Sequence, residues 1–117
     1  MERLFQALID QDLERFHGRF HEDSVIDFPQ SGERIVGGKN RRAVYRSFPG
    51  RPSVRRILTG GDLAVVEATV DYGDGADWRA VFICELQDAK IAKLTAYCAQ
   101  PFAPSEWRAA SVEPIDG

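Results

Sequence analysis

The chain has 117 residues, 44% of them hydrophobic, with seven Phe, three Tyr and two Trp: enough apolar material for one buried core and too little for two. No apolar run approaches the roughly 18 residues of a membrane-spanning helix. A formal net charge of −3 argues against a uniformly basic nucleic-acid binder.

Charge is nonetheless segregated. Lys39 to Arg56 carries basic residues without an acid, and Asp62 to Asp77 carries acids without a base. A basic face could attract an anion or nucleic acid, but the simplest account is a solvated face, or one that meets the acidic stretch of the same or a neighbouring chain. Cys84 and Cys98 have neither metal nor CxxC spacing and read as reduced core thiols, which implies a cytoplasmic protein. The first residues mix acids with apolar side chains and lack a small-residue cleavage site, so no signal peptide is expected.

Residues 2–20 are expected to be helical in two pieces. Leu4, Phe5, Leu8 and Ile9 form one stripe, and Leu13, Phe16 and Phe20 a second. Asp10 or Asp12 can cap the second piece, since a short carboxylate accepts from the free amides of a first turn. A short strand follows in Ser24–Pro29, ended by the proline. Residues 39–48 predict a third helix with Ala43, Val44 and Phe48 inward, terminated by Pro49, Gly50 and Pro52.

From Ser53 onward the pattern is four strands, rich in β-branched and aromatic residues. Asp74-Gly75 predicts a two-residue hairpin turn, and Asp88-Ala89 a second. Those turns set the register and hence the faces. One face is expected to carry Val66, Ala68, Val70, Tyr72, Asp77, Arg79, Val81, Ile83, Leu94, Ala96, Cys98 and Gln100. The other carries Glu67, Thr69, Asp71, Trp78, Ala80, Phe82, Cys84, Lys93, Thr95 and Tyr97. One bulge would exchange the faces beyond it. Helices first and an antiparallel sheet afterwards make an α+β domain over 1–109, with a tail over 110–117.

The segment Phe20–Phe48 and the stretch Lys90–Arg108, set in this order of elements, resemble the nuclear-transport-factor-2-like superfamily, in particular its SnoaL-like members. The resemblance implies a cone of curved antiparallel sheet with three N-terminal helices enclosing a pocket, and often a homodimer through the outer sheet face. It implies no single chemistry, because the superfamily holds isomerases, epoxide hydrolases, cyclases, dehydratases and non-catalytic members. Where its steroid isomerases place a base aspartate before a proline, this chain has Phe28 before Pro29, and Asp27 is one position off. Where its epoxide hydrolases place an arginine and two aspartates, this chain has Ala68, Val70 and Ala96.

Three functions follow from the resemblance and the remaining polar residues. The first is a binding module for a small, largely apolar ligand, lined by Phe16, Phe20, Phe28, Val66, Ala68, Val70, Tyr72, Val81, Leu94, Ala96, Cys98 and Gln100. The second is an acid–base enzyme of the isomerase, cyclase or dehydratase kind, using Asp27, Tyr45, Asp77 and Arg79. There Asp27 would be a base raised by burial, Tyr45 an oxyanion donor, and Arg79 an anion holder oriented by Asp77. The bland readings are a solvated Asp27, a core Tyr45 and a structural Asp77–Arg79 pair. The third is an assembly domain that dimerises through Trp78, Phe82 and Tyr97. His17 and His21 share a helical face at metal-ligand spacing, but without a third ligand no metal is expected. No cofactor, nucleic acid or membrane partner is expected.

Overall fold

The structure is a computed structural model that describes residues 1–115; of the expected tail, positions 116 and 117 lie outside the described residues. Helix α1 spans Glu2–Ile9 and buries Leu4, Phe5 and Ala7. Gln11 takes a left-handed turn at φ 58, and α2 restarts at Leu13–His17. Asp12 caps it: its carboxylate accepts from the Arg15 amide at 3.2 Å. The helical period stops earlier than expected. Gly18 ends α2, and Phe20 opens strand β1, Phe20–Phe28. Phe16 and Phe20 still share the core with ring centroids 5.2 Å apart. His21, by contrast, lies on a strand and not on the helical face of His17.

Strand β2, Glu33–Val36, pairs antiparallel with β1, and helix α3 runs Gly37–Tyr45. Gly37 makes this abrupt entry possible at φ 80. The inward face of α3 differs from the expected one. Gly38 and Arg41 are buried and Tyr45 half-buried, an i, i+3, i+7 row, whereas Ala43 and Val44 are exposed. Strands β3 (Arg51–Gly60), β4 (Leu63–Asp71), β5 (Asp77–Gln87) and β6 (Lys90–Ala99) follow, then a 3₁₀ turn at Glu106–Ser111. The six strands form one open sheet in the order β2-β1-β6-β5-β4-β3, with β1 parallel to β6 and the other pairs antiparallel. No helix among the described residues is long and apolar enough to cross a membrane.

One strand has its faces exchanged relative to expectation. The β4–β5 connection is not a two-residue turn at Asp74-Gly75; it runs from Tyr72 to Ala76 between the pair Asp71 and Asp77. Side chains stabilise this wider loop. Asp71 accepts from the Gly73 amide at 2.7 Å, Asp74 from the Ala76 amide at 3.1 Å, and Gly73 and Gly75 supply φ of 82 and 81. Val70 therefore pairs with Trp78, and Ala68 with Ala80. The turn at Asp88-Ala89 is as expected, but a bulge between Glu85 and Leu86 shifts the register again. The two offsets cancel between β4 and β6, whose faces are as expected. Strand β5 alone is reversed: Trp78, Ala80, Phe82 and Cys84 turn toward the helices, and Asp77, Arg79, Val81 and Ile83 turn outward. The buried cluster of Ala64, Val66, Cys84, Leu94 and Ala96, with Phe82 packed against it, marks the inner face.

The β5–β6 turn holds Asp88 at φ 51 and Ala89 at φ 66. A left-handed conformation costs an L side chain about 1 kcal/mol, part of which a glycine returns as chain entropy. Ala89→Gly is expected to raise the thermal unfolding midpoint by roughly 2 °C. Gly75→Ala, at φ 81, is expected to lower it. Differential scanning calorimetry of both variants checks the opposite signs.

Candidate functional site

Small side chains thin the inner face of the sheet at one end: Ala68, Ala80 and Cys98 lie side by side, and Ala96 is next along β6. Helix α3 packs against β1 and β2. Between α3, β2 and the ends of β1 and β6 lies a cavity of about 630 Å³ whose apolar wall includes Phe28, Ile35, Ala43, Val44, Ala96 and Cys98, with Gln30, Ser31, Glu33, Arg34 and Asn40 as polar lining. Gln30 Oε1 accepts from the Cys98 amide and so extends the β1–β6 junction beyond Pro29. An aromatic file runs alongside: Phe16, Tyr45, Phe48, Tyr72 and Trp78, with successive centroids 4.8, 5.1, 6.0 and 5.2 Å apart. Trp78 Nε1 donates to Asp74 at 2.8 Å, which satisfies the ring's polar end.

Of the residues expected to line a ligand site, Phe28, Ala96 and Cys98 do line this cavity. Phe16, Phe20, Val66 and Leu94 are in the packed core, and Ala68 and Val70 are buried on the inner face. The Tyr72 hydroxyl is 3.8 Å from Cys98 Sγ; burial pushes both groups up from their ordinary pKa, so neither is an anion at neutral pH. Val81 points outward, and Gln100 is exposed beyond the end of β6, so neither reaches the cavity.

The four residues expected to form an acid–base set are not brought together. Asp27 is on the outer side of β1, bound by Arg34 Nε at 2.5 Å and Nη2 at 2.9 Å, with Lys93 at 3.6 Å. The Arg34 hydrogen bonds hold its carboxyl below the usual range, the reverse of the shift expected of a buried base. Tyr45 closes α3 within the aromatic file, and burial pushes its hydroxyl up to about 12. Arg79 is outward, and its Nη1 donates to the carbonyl oxygen of Asp77 at 3.1 Å, not to the carboxylate. The reversal of β5 removed both from the inner face.

A polar cluster that sequence reasoning missed lies under α3. Arg41 is 1% exposed. Its Nε donates to His17 Nδ1 at 3.0 Å, and its Nη1 to Ser24 Oγ at 2.7 Å and the His21 carbonyl at 3.3 Å. The guanidinium carbon sits 4.4 Å from the Phe20 ring centroid, within cation–π range. Nη2 has no partner among the described residues. The Gly38, Arg41, Tyr45 spacing was the available signal, but it ran against treating arginine as a surface residue.

His17 is held at about 4, first by burial and then by the adjacent Arg41 and Arg42 charges. The ordinary value is 6.5, so the unfolded chain binds the extra proton more tightly. The stability this site contributes is complete above about pH 6.5 and is lost as pH falls toward 4. The ion-paired carboxylates Glu22 and Asp27 have lowered values and lose theirs only below the ordinary carboxylate range. Urea unfolding between pH 7 and 4.5 is expected to show falling stability in wild type and a flatter profile in His17→Gln.

The chain matches the family model for the SnoaL-like domain over residues 1–94. Among solved structures it is 34% identical to an NTF-2 like protein of unknown function from Burkholderia xenovorans LB400, with TM-score 0.86 over 97% of this chain and 91% of that one. A candidate ketosteroid isomerase from Kribbella flavida DSM 17836 is 25% identical, with TM-score 0.88 over 97% and 85%. An LEH-like epoxide hydrolase of M. tuberculosis shares the fold at 20% identity and TM-score 0.71, over 84% and 78%. No curated protein matches the chain. By the span of its family match and its agreement with the Burkholderia structure, this protein belongs to the SnoaL-like domain family, with the NTF2-like fold.

Proposed function

We propose that the protein is a binding module for a small, largely apolar organic molecule, held in the cavity between α3 and the inner sheet face. The observation that carries this reading is the wall itself. A space of about 630 Å³, lined mainly by aromatic, aliphatic and thiol groups, with a few amide and hydroxyl groups and the charged Glu33 and Arg34, has the size of a small-ligand site. Gln30, Ser31 and Asn40 supply donors and acceptors that can orient one polar end of the ligand.

Catalysis of the kind named for the Kribbella and M. tuberculosis structures is supported less well. The inner positions Phe28, Ala68, Val70 and Ala96 are apolar, and Asp27 is committed to Arg34 on the other face. Glu33, the carboxylate that lines the cavity, is exposed on the edge strand β2 and not enclosed in the pocket as a catalytic acid would be. Cytoplasmic residence fits the two free thiols, Cys84 and Cys98.

The outer sheet face favours a homodimer as the working unit. Val65, Val81 and Ile83 are half-buried there, and Tyr97 is 44% exposed. Trp78 and Phe82 take no part, because both turned inward. Ile83→Glu would place a charge in the centre of such a contact and is expected to shift a sedimenting dimer to monomer.

Binding is tested by titrating an apolar fluorescent probe. Val44 is 47% exposed in the cavity wall, so Val44→Asp should leave the fold intact. It is expected to weaken probe binding tenfold or more, equivalent to at least about 1.4 kcal/mol. Equal affinity in wild type and Val44→Asp would overturn the proposal.

A further inference from the structure

We infer that a second site, separate from the apolar cavity, binds a small oxyanion such as a phosphate or carboxylate group in the cleft where α2, the start of β1, α3 and the β5–β6 turn meet. The cleft has a volume of about 470 Å³, and its charged and polar lining is His17, His21, Arg42, Arg46 and Lys90 together with the carboxylates Glu14 and Glu22. It shares none of these residues with the apolar cavity.

The first argument is the histidine. His17 is only 7% exposed, yet it lines this cleft. Arg41 donates to its Nδ1, and a guanidinium cannot give up its proton, so Nδ1 must be an acceptor. The neutral imidazole then carries its hydrogen on Nε2. Among the described residues the ring therefore keeps Nε2–H as its unbonded donor, and His17 is one of the residues that line the cleft. A donor of fixed sense with a neighbouring positive charge suits an anionic acceptor, and a second cation least of all.

Charge supplies the second argument. Arg41 lies directly behind His17, almost wholly out of water, without a carboxylate partner among the described residues and with Nη2 unbonded. Buried cations normally have a counter-charge, because the unpaired form is costly. The acids of the cleft provide it only in part, since Glu22 acts on Arg41 through space without bonding to it. Glu22 is engaged bidentately by Arg42, and Glu14 is exposed on α2. Arg46 and Lys90 add further positive charge at the wall. An oxyanion accepting from His17 Nε2 and flanked by Arg46 and Lys90 would offset the Arg41 charge through one ring.

The test uses inorganic phosphate as the probe, titrated against sodium chloride at matched ionic strength. The ring nitrogens of His17 are followed by ¹H–¹⁵N NMR. Phosphate is expected to shift the His17 Nε2 resonance saturably, while chloride leaves it in place. Arg46 and Lys90 are exposed, so Arg46→Ala/Lys90→Ala should fold normally and weaken phosphate at least tenfold. A parallel titration with acetate distinguishes the sources: a response to acetate as well assigns a general oxyanion site, and phosphate alone assigns a phosphoryl site. The inference is overturned if the His17 signal does not move with either anion, or if wild type and the double variant titrate alike.

Discussion

Side-chain alternation along β5 is the constraint on which the molecule's two faces depend. In a strand each residue alternates sides, so a single added residue sends every later side chain to the opposite surface. This chain applies two such offsets, one in the loop after β4 and one at the bulge between Glu85 and Leu86. Between them β5 presents Ala80, Phe82 and Cys84 to the helices, and β4 and β6 on either side keep their aliphatic rows inward. The core cluster is continuous because both offsets are present. With either one alone, the rows of β4 and β6 would face opposite ways.

Helix α3 answers to a different requirement. Its buried row contains a glycine, an arginine and a tyrosine, so it contributes little hydrophobic burial of its own. It is held instead by aromatic contacts through Tyr45 and by the Arg41 hydrogen bonds to His17, Ser24 and the His21 carbonyl. Such bonds are directional, so they define where α3 sits more sharply than an aliphatic contact would. They also leave its Ala43 and Val44 side free to face the cavity. The same helix thus positions both the apolar space and the polar cluster.

Much of this was legible locally. The cap at Asp12, the turn at Asp88-Ala89 and the inward rows of β4 and β6 all follow from short-range preferences. The β4–β5 connection was misread because Asp74-Gly75 carries a strong two-residue turn signal, while the opposing signal is spread over Asp71, Gly73, Asp74 and Trp78. The β5–β6 bulge has no local marker. Arg41 was misread for a deeper reason. Its partners come from α2 and β1, and no periodicity on α3 can announce them. The cavity was legible in part. Phe28, Ala96 and Cys98 were foreseen, but its α3 and β2 walls depend on which way α3 is turned.

The parallel pairing of β1 with β6 bears on how the protein is made. Among the described strands β1 is synthesised before all the others, and its neighbour β6 after them. Until then a nascent β1–β2 hairpin has Ile26 and Phe28 without a sheet to cover them, and one edge of β1 stays unpaired. Two-stranded hairpins are marginal in water, and contacts this distant in sequence form slowly. The meander β3 to β6 can assemble from adjacent strands, so it is the natural template onto which the N-terminal half docks. Formation of both clefts, each walled by α3 and β1 residues, is therefore a late event in folding.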